Sequence, residues 1–138
     1  MEPNYTPGML RVCIDKNSND EFSGRVYGTA FKDTLHFKDV NEFILKIDNE
    51  LNEVGLPQAF EEKRSFGQAE AYSKFTPRVS VVRKQKDFIN EYGEVSTYVV
   101  FVETRANTSW QGKLLSEDLK PIADFSSVLE LLKLFSEN

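Results

Sequence analysis

The chain has 138 residues, with 17 Lys and Arg against 22 Asp and Glu, for a net charge of −5. That length makes one compact domain or two small units sharing a core, and 40% hydrophobic residues with eleven Phe exclude a disordered chain. A single cysteine, Cys13, excludes an internal disulfide and a cysteine-built zinc site.

Residues 1–8 carry two prolines and a glycine and read as an irregular lead-in. From Met9 the pattern alternates, with Leu10, Val12 and Ile14 on one face and Arg11, Cys13 and Asp15 on the other, which predicts a half-buried strand. Asn17-Ser18-Asn19-Asp20 is turn chemistry, and a second strand from about Phe22 to Thr29 completes a hairpin. Val40, Phe43, Ile44, Ile47, Leu51 and Val54 then fall at helical spacing. Asp39 and Glu42 hold capping-box spacing at the start of that helix, and Gly55 and Pro57 end it. Residues 56–77 read as a connector, in which Ser65 and Gln68 could cap a short helix stopped by Pro77. Val79 and Val81 predict a strand through Arg83, and Asn90–Glu94 a turn into a strand over Val95–Glu103.

The second half repeats the first at an offset of 88 residues without a gap. Asn19, Gly24, Lys32, Phe37, Val40 and Glu42 meet Asn107, Gly112, Lys120, Phe125, Val128 and Glu130. Phe22 faces Trp110, and Ser127 with Glu130 restates the capping box before Val128, Leu131, Leu132 and Phe135. Two copies at so long a period indicate a duplicated unit and not a solenoid. The expected fold is therefore α+β, a duplicated β-β-α unit over residues 11–50 and 99–138, with one antiparallel sheet and the helices on one face. The expected division is 1–55 for the first unit, 56–77 for the connector, and 78–138 for the second unit with an extra N-terminal strand.

Little in the sequence points to chemistry. Asp15-Lys16-Asn17-Ser18-Asn19 resembles the opening of a calcium loop, but Asp20 stands where the turn needs glycine and Val26 where it needs glutamate. His36 is the only histidine and has no carboxylate or cysteine company, so a surface role near the helix start is expected. Asn107-Thr108-Ser109 matches a glycosylation sequon by chance alone. No nucleophile elbow and no phosphate-cradling loop is present, so no catalytic residue, metal or cofactor is expected. Phe22-Ser23-Gly24 and Trp110-Gln111-Gly112 form a repeated aromatic-x-Gly signature. Its plain reading is packing over a bare glycine; its functional reading makes Trp110 and Phe22, with Tyr27, an exposed platform for a partner.

Charge supplies a second candidate. Residues 63–86 carry Lys63, Arg64, Lys74, Arg78, Arg83, Lys84 and Lys86 against Glu70 alone, a basic island in an acidic chain. Arg78, Arg83, Lys84 and Lys86, with Phe66, Tyr72 and Phe75 nearby, could contact phosphates while a ring stacks a base. The plain reading is solvated or paired cations.

Asn107-Thr108-Ser109-Trp110-Gln111-Gly112, followed by Phe125-Ser126-Ser127-Val128-Leu129-Glu130-Leu131, resembles a group of short clostridial-type bacterial proteins. Those proteins end in an Asn-x-Thr-Trp-Gln-Gly strand and a Phe-Arg-Ser-x-x-Glu-Leu helix; here Ser109 replaces the Thr and Ser126 the Arg. The resemblance implies a bacterial cytoplasmic origin and carries no activity and no functional residues. No leader of cationic then apolar residues opens the sequence, and its longest apolar run, near Tyr98–Val102, is far too short for a bilayer. The expectation is thus a cytoplasmic, non-catalytic protein-binding or regulatory module with an unknown protein partner, as a monomer or homodimer without membrane contact. The alternative is a nucleic-acid-associated accessory protein using residues 63–86.

Overall fold

The computed structural model describes residues 4–18, 21–56, 81–106 and 109–137. Strands β1 (Met9–Asn17), β2 (Phe22–Gly28) and β3 (Leu35–Phe37) precede helix α1 (Val40–Val54). A 3-10 turn at Gln85–Asp87 leads to β4 (Ser96–Ala106), β5 (Ser109–Leu115), β6 (Pro121–Phe125) and helix α2 (Val128–Glu137). The fold is α+β. All six strands pair antiparallel in one open sheet, in the order β3-β2-β1-β4-β5-β6.

The pairing has an internal regularity at the 88-residue offset. In the β1–β4 seam Arg11 lies opposite Val99, Leu10 opposite Val100, and Val12 opposite Tyr98, so moving each residue by 88 returns the same register. Gly24 faces Phe37 as Gly112 faces Phe125. Bulges fall between Ile14 and Lys16 and again between Val102 and Thr104. A Cβ on Gly24 would run into the Cys13 carbonyl oxygen, and one on Gly112 into that of Phe101. Backbone approaches backbone at both bulges, which is why glycine stands at both.

Both helices start in a variant of the capping box, in which the glutamate reaches the amide one residue before the N-cap. Asp39 Oδ1 accepts from the Glu42 amide at 2.7 Å, and Ser127 Oγ from the Glu130 amide at 3.1 Å. The glutamates reach back, Glu42 Oε1 to the Lys38 amide at 3.1 Å and Glu130 Oε1 to the Ser126 amide at 2.7 Å. Gly55 closes α1 in the left-handed region at φ 77°, a conformation open to glycine. Phe43, Ile47 and Leu51 of α1 and Val128, Leu131 and Phe135 of α2 enter the main core on one face of the sheet. There they join Leu10, Val12, Val26, Val100, Trp110 and Leu114. At about 25 cal/mol per Å² of apolar area removed from water, this layer is the main source of stability.

Three expectations are corrected. Each half is β-β-β-α, because β3 and β6 add a short third strand. Leu35-His36-Phe37 contains a single alternation directly before a helix cap, too little periodicity to reveal a strand. The extra strand expected through Arg83 is not formed over residues 81–83; the Val82 and Arg83 amides both donate to the Thr29 carbonyl, at 2.9 and 3.1 Å. Val79, and the connector helix expected between Ser65 and Pro77, lie outside the described residues. Finally, β1 is buried on both faces, with Arg11 and Cys13 as inaccessible as Leu10 and Val12. Tyr5, Phe88 and their neighbours form a second apolar layer there with Cys13, Tyr27, Val99 and Leu115.

Candidate functional site

Trp110, Phe22 and Tyr27 do not form an exposed platform. Trp110 is fully buried, and Phe22 packs among Phe37, Phe43 and Phe135 with centroids 5.1–6.1 Å away. Tyr27 lies on the opposite face, stacked on Phe88 at 5.6 Å, its hydroxyl donating to Glu91 Oε1 at 3.4 Å and accepting from Arg25 Nη1 at 3.1 Å. The packing reading of the aromatic-x-Gly signature is the one realised. The sheet needs the ring on the helix side where its glycine admits the neighbouring strand.

The basic segment divides. Arg78 lies outside the described residues. Arg83 turns inward, its guanidinium over the Tyr27 ring at 5.3 Å and the Phe88 ring at 5.8 Å, with Nη1 donating to Thr34 Oγ1 at 2.9 Å. Lys84 and Lys86 are exposed. Arg83 therefore helps to hold residues 83–95 against the sheet.

That attachment is polar and dense. Arg11 Nε donates to the Glu91 carbonyl at 2.9 Å and Nη1 to the Tyr5 hydroxyl at 2.9 Å, while its guanidinium lies 4.9 Å from the Tyr92 ring centroid. Arg25 bridges Asp15 at 3.2 Å, Glu91 at 3.0 Å and the Tyr92 carbonyl at 2.8 Å. The Cys13 thiol donates to the Glu91 carbonyl at 3.4 Å, and burial pushes its pKa up, keeping it protonated and unreactive. The alternation in β1 puts Arg11 and Cys13 on the face expected to meet water. Nothing local announces that residues 83–95 return to cover them. Among the described residues, no three His, Cys, Asp or Glu side chains converge as a metal site would need.

The sheet edges differ more than the faces. At β3 the edge is three residues long, and Lys46 of α1 reaches over to donate Nζ to the His36 carbonyl at 2.8 Å, steadied by Glu42 at 3.6 Å. His36 itself is exposed. At β6 the edge is five residues long, and the position 88 beyond Lys46 is Leu134, whose side chain has no donor. A hollow of about 260 Å³ lined by Asp124, Glu130, Lys133 and Leu134 runs beside it. Ile122 on β6 is 40% exposed and Leu129 on α2 is 70% exposed. One edge is blunted by a lysine on its carbonyl, a common protection of exposed strands; the other has Leu134 at that position and mixes Ile122 with Asp124 and the nearby Lys133.

Comparison with protein-family models, with curated proteins and with solved structures finds no match for this chain.

Proposed function

We propose that this chain is a non-catalytic protein-binding module, a fused duplicate of one β-β-β-α unit, that takes up an extended segment of a partner along β6. The observation that carries this reading is the contrast between the edges, with Lys46 on the His36 carbonyl at β3 and Leu134 in the matching place at β6. A strand added at an open edge gains main-chain hydrogen bonds, and neighbouring pockets select its side chains. Ile122 and Leu129 supply apolar contacts, and the hollow beside Leu134, lined by Asp124, Glu130 and Lys133, supplies polar ones. The mirrored registers and paired bulges at the 88-residue offset support the duplication. After duplication one copy can keep a protected edge while the other acquires a binding edge. A bacterial cytoplasmic setting belongs to the same reading and rests on the family resemblance.

The test is capture of partners from the native host by tagged protein, with and without nuclease, repeated with Leu134→Lys and Asp124→Pro. Leu134→Lys imports the cap of the first half, and Asp124→Pro removes an amide at the register position of His36. A protein recovered in stoichiometric amount despite nuclease, and reduced about tenfold by either variant, is the expected result; tenfold is about 1.4 kcal/mol. Nucleic acid recovered in a salt-sensitive manner and lost on Lys84→Glu with Lys86→Glu would replace this reading with the alternative. Concentration-dependent dimers abolished by the same edge variants would make the occupant a second copy of the chain.

A further inference from the structure

The two halves also differ in the cleft where each helix crosses the opposite hairpin. On one side the cleft is filled. Arg105 of β4 donates Nη1 to Asp48 Oδ1 of α1 at 2.8 Å, Trp110 Nε1 reaches the same oxygen at 3.3 Å, and Arg105 Nε and Nη2 donate to the Leu56 carbonyl at 3.2 and 2.9 Å. Moving these residues by 88 replaces Arg105 by Asn17, Trp110 by Phe22 and Asp48 by Ser136. Each replacement is smaller, and the three line one hollow of about 230 Å³, closed by Glu21, Asp39, Val40 and Leu132. Where one cleft holds a guanidinium, its counterpart holds space.

We infer that this hollow binds an alkylguanidinium cation, carried by a free small molecule or by an arginine side chain of a peptide. The inference is independent of the β6 edge and rests on the positional equivalence of the two clefts. Its volume is below the roughly 300 Å³ at which drug-sized pockets begin, which suits one side chain and not a nucleotide. Glu21 and Asp39 bring carboxylates to the rim. Asp39 Oδ1 is engaged by the Glu42 amide, and Glu21 meets the exposed Lys16 at 3.7 Å, a contact that an arriving cation displaces at little cost. Ser136 lies in the last turn of α2, which carries no basic side chain to offset the partial negative charge of the helix end. Asn17 and Ser136 supply neutral acceptors where Arg105 and Asp48 stand in the filled cleft.

The test uses the full chain, titrated with agmatine, with the blocked peptide acetyl-Gly-Arg-Gly-amide and with cadaverine, followed by amide chemical shifts. Saturable binding in roughly the millimolar range is expected for a ligand of agmatine's size. Shifts should be confined to residues around Asn17, Glu21 and Ser136, with cadaverine at least threefold weaker. Saturation by the peptide alone identifies an arginine side chain as the source; saturation by agmatine alone identifies a free metabolite. Glu21→Gln, at an exposed position, should weaken binding at least threefold. Asn17→Arg with Ser136→Asp places the ion pair of the filled cleft in the hollow and should abolish binding. No saturation by either guanidinium, equal binding of cadaverine, or unchanged binding in both variants overturns the inference.

Discussion

The Arg105 guanidinium meets the Asp48 carboxylate at 2.8 Å with both side chains almost out of water, and this pair ties β4 of the second half to α1 of the first. Removing one partner leaves the other charge buried, which typically costs about 3–5 kcal/mol. Asp48→Ala is expected to fall in that range in urea unfolding, with the Trp110 indole losing its acceptor as well. Asp48→Leu combined with Arg105→Met should recover most of the loss, because the apolar pair leaves no charge behind. Additive losses in the double variant would show that the pair is not the link.

Gly24 and Gly112 should behave alike and unlike Gly55. Alanine at either strand position drives a Cβ into a carbonyl oxygen of the adjacent strand, where neither backbone can yield cheaply. Each is expected to cost more than about 2 kcal/mol. Gly55→Ala meets no atom within 4 Å and bears only its φ of 77°, for about 1 kcal/mol. Chemical denaturation of the three variants checks the order.

Stability should fall on the alkaline side. Burial raises the pKa of Cys13 first, and burial likewise raises those of Tyr5 and Tyr27 against the lowering pull of Arg11 and Arg25. The folded state thus holds these protons longer than the unfolded chain, so stability decreases once pH passes their ordinary values, about 9 for Cys13 and about 10 for the tyrosines. Unfolding midpoints measured from pH 7 to 11 should decline, and Cys13→Ala should flatten the first part of the decline. Thiol reagents should label Cys13 slowly unless denaturant is present.

Charge reversal should separate the cations of the basic segment. Lys84→Glu and Lys86→Glu, at exposed positions, are expected to change stability by less than about 0.5 kcal/mol. Arg83→Glu loses two ring contacts and the Thr34 hydrogen bond, and should cost about 1–3 kcal/mol. Equal effects at the three sites would mean that Arg83 is not holding residues 83–95 in place.

The features legible in the amino-acid order are local ones. The stripe from Val40 to Val54, its Asp39 and Glu42 box, Gly55 and the alternation in β1 depend on neighbours a few residues away. Each was therefore legible, together with the α+β class and a single antiparallel sheet. Tertiary structure alone decided what lies against those elements. Arg11 and Cys13 are written as an outward face, yet Tyr5, from before β1, and Phe88 and Glu91, from some eighty residues further along the chain, bury them. Trp110 could be a platform or a core residue by composition, and the helix crossing above it decided for the core. The two candidate sites depend on longer-range relations still. Lys46 protects an edge only because α1 folds back over β3, and Asn17 opens a hollow only because α2 crosses the β1–β2 hairpin. Periodicity encodes which face of an element is apolar; the packing of distant segments determines which polar face stays in water.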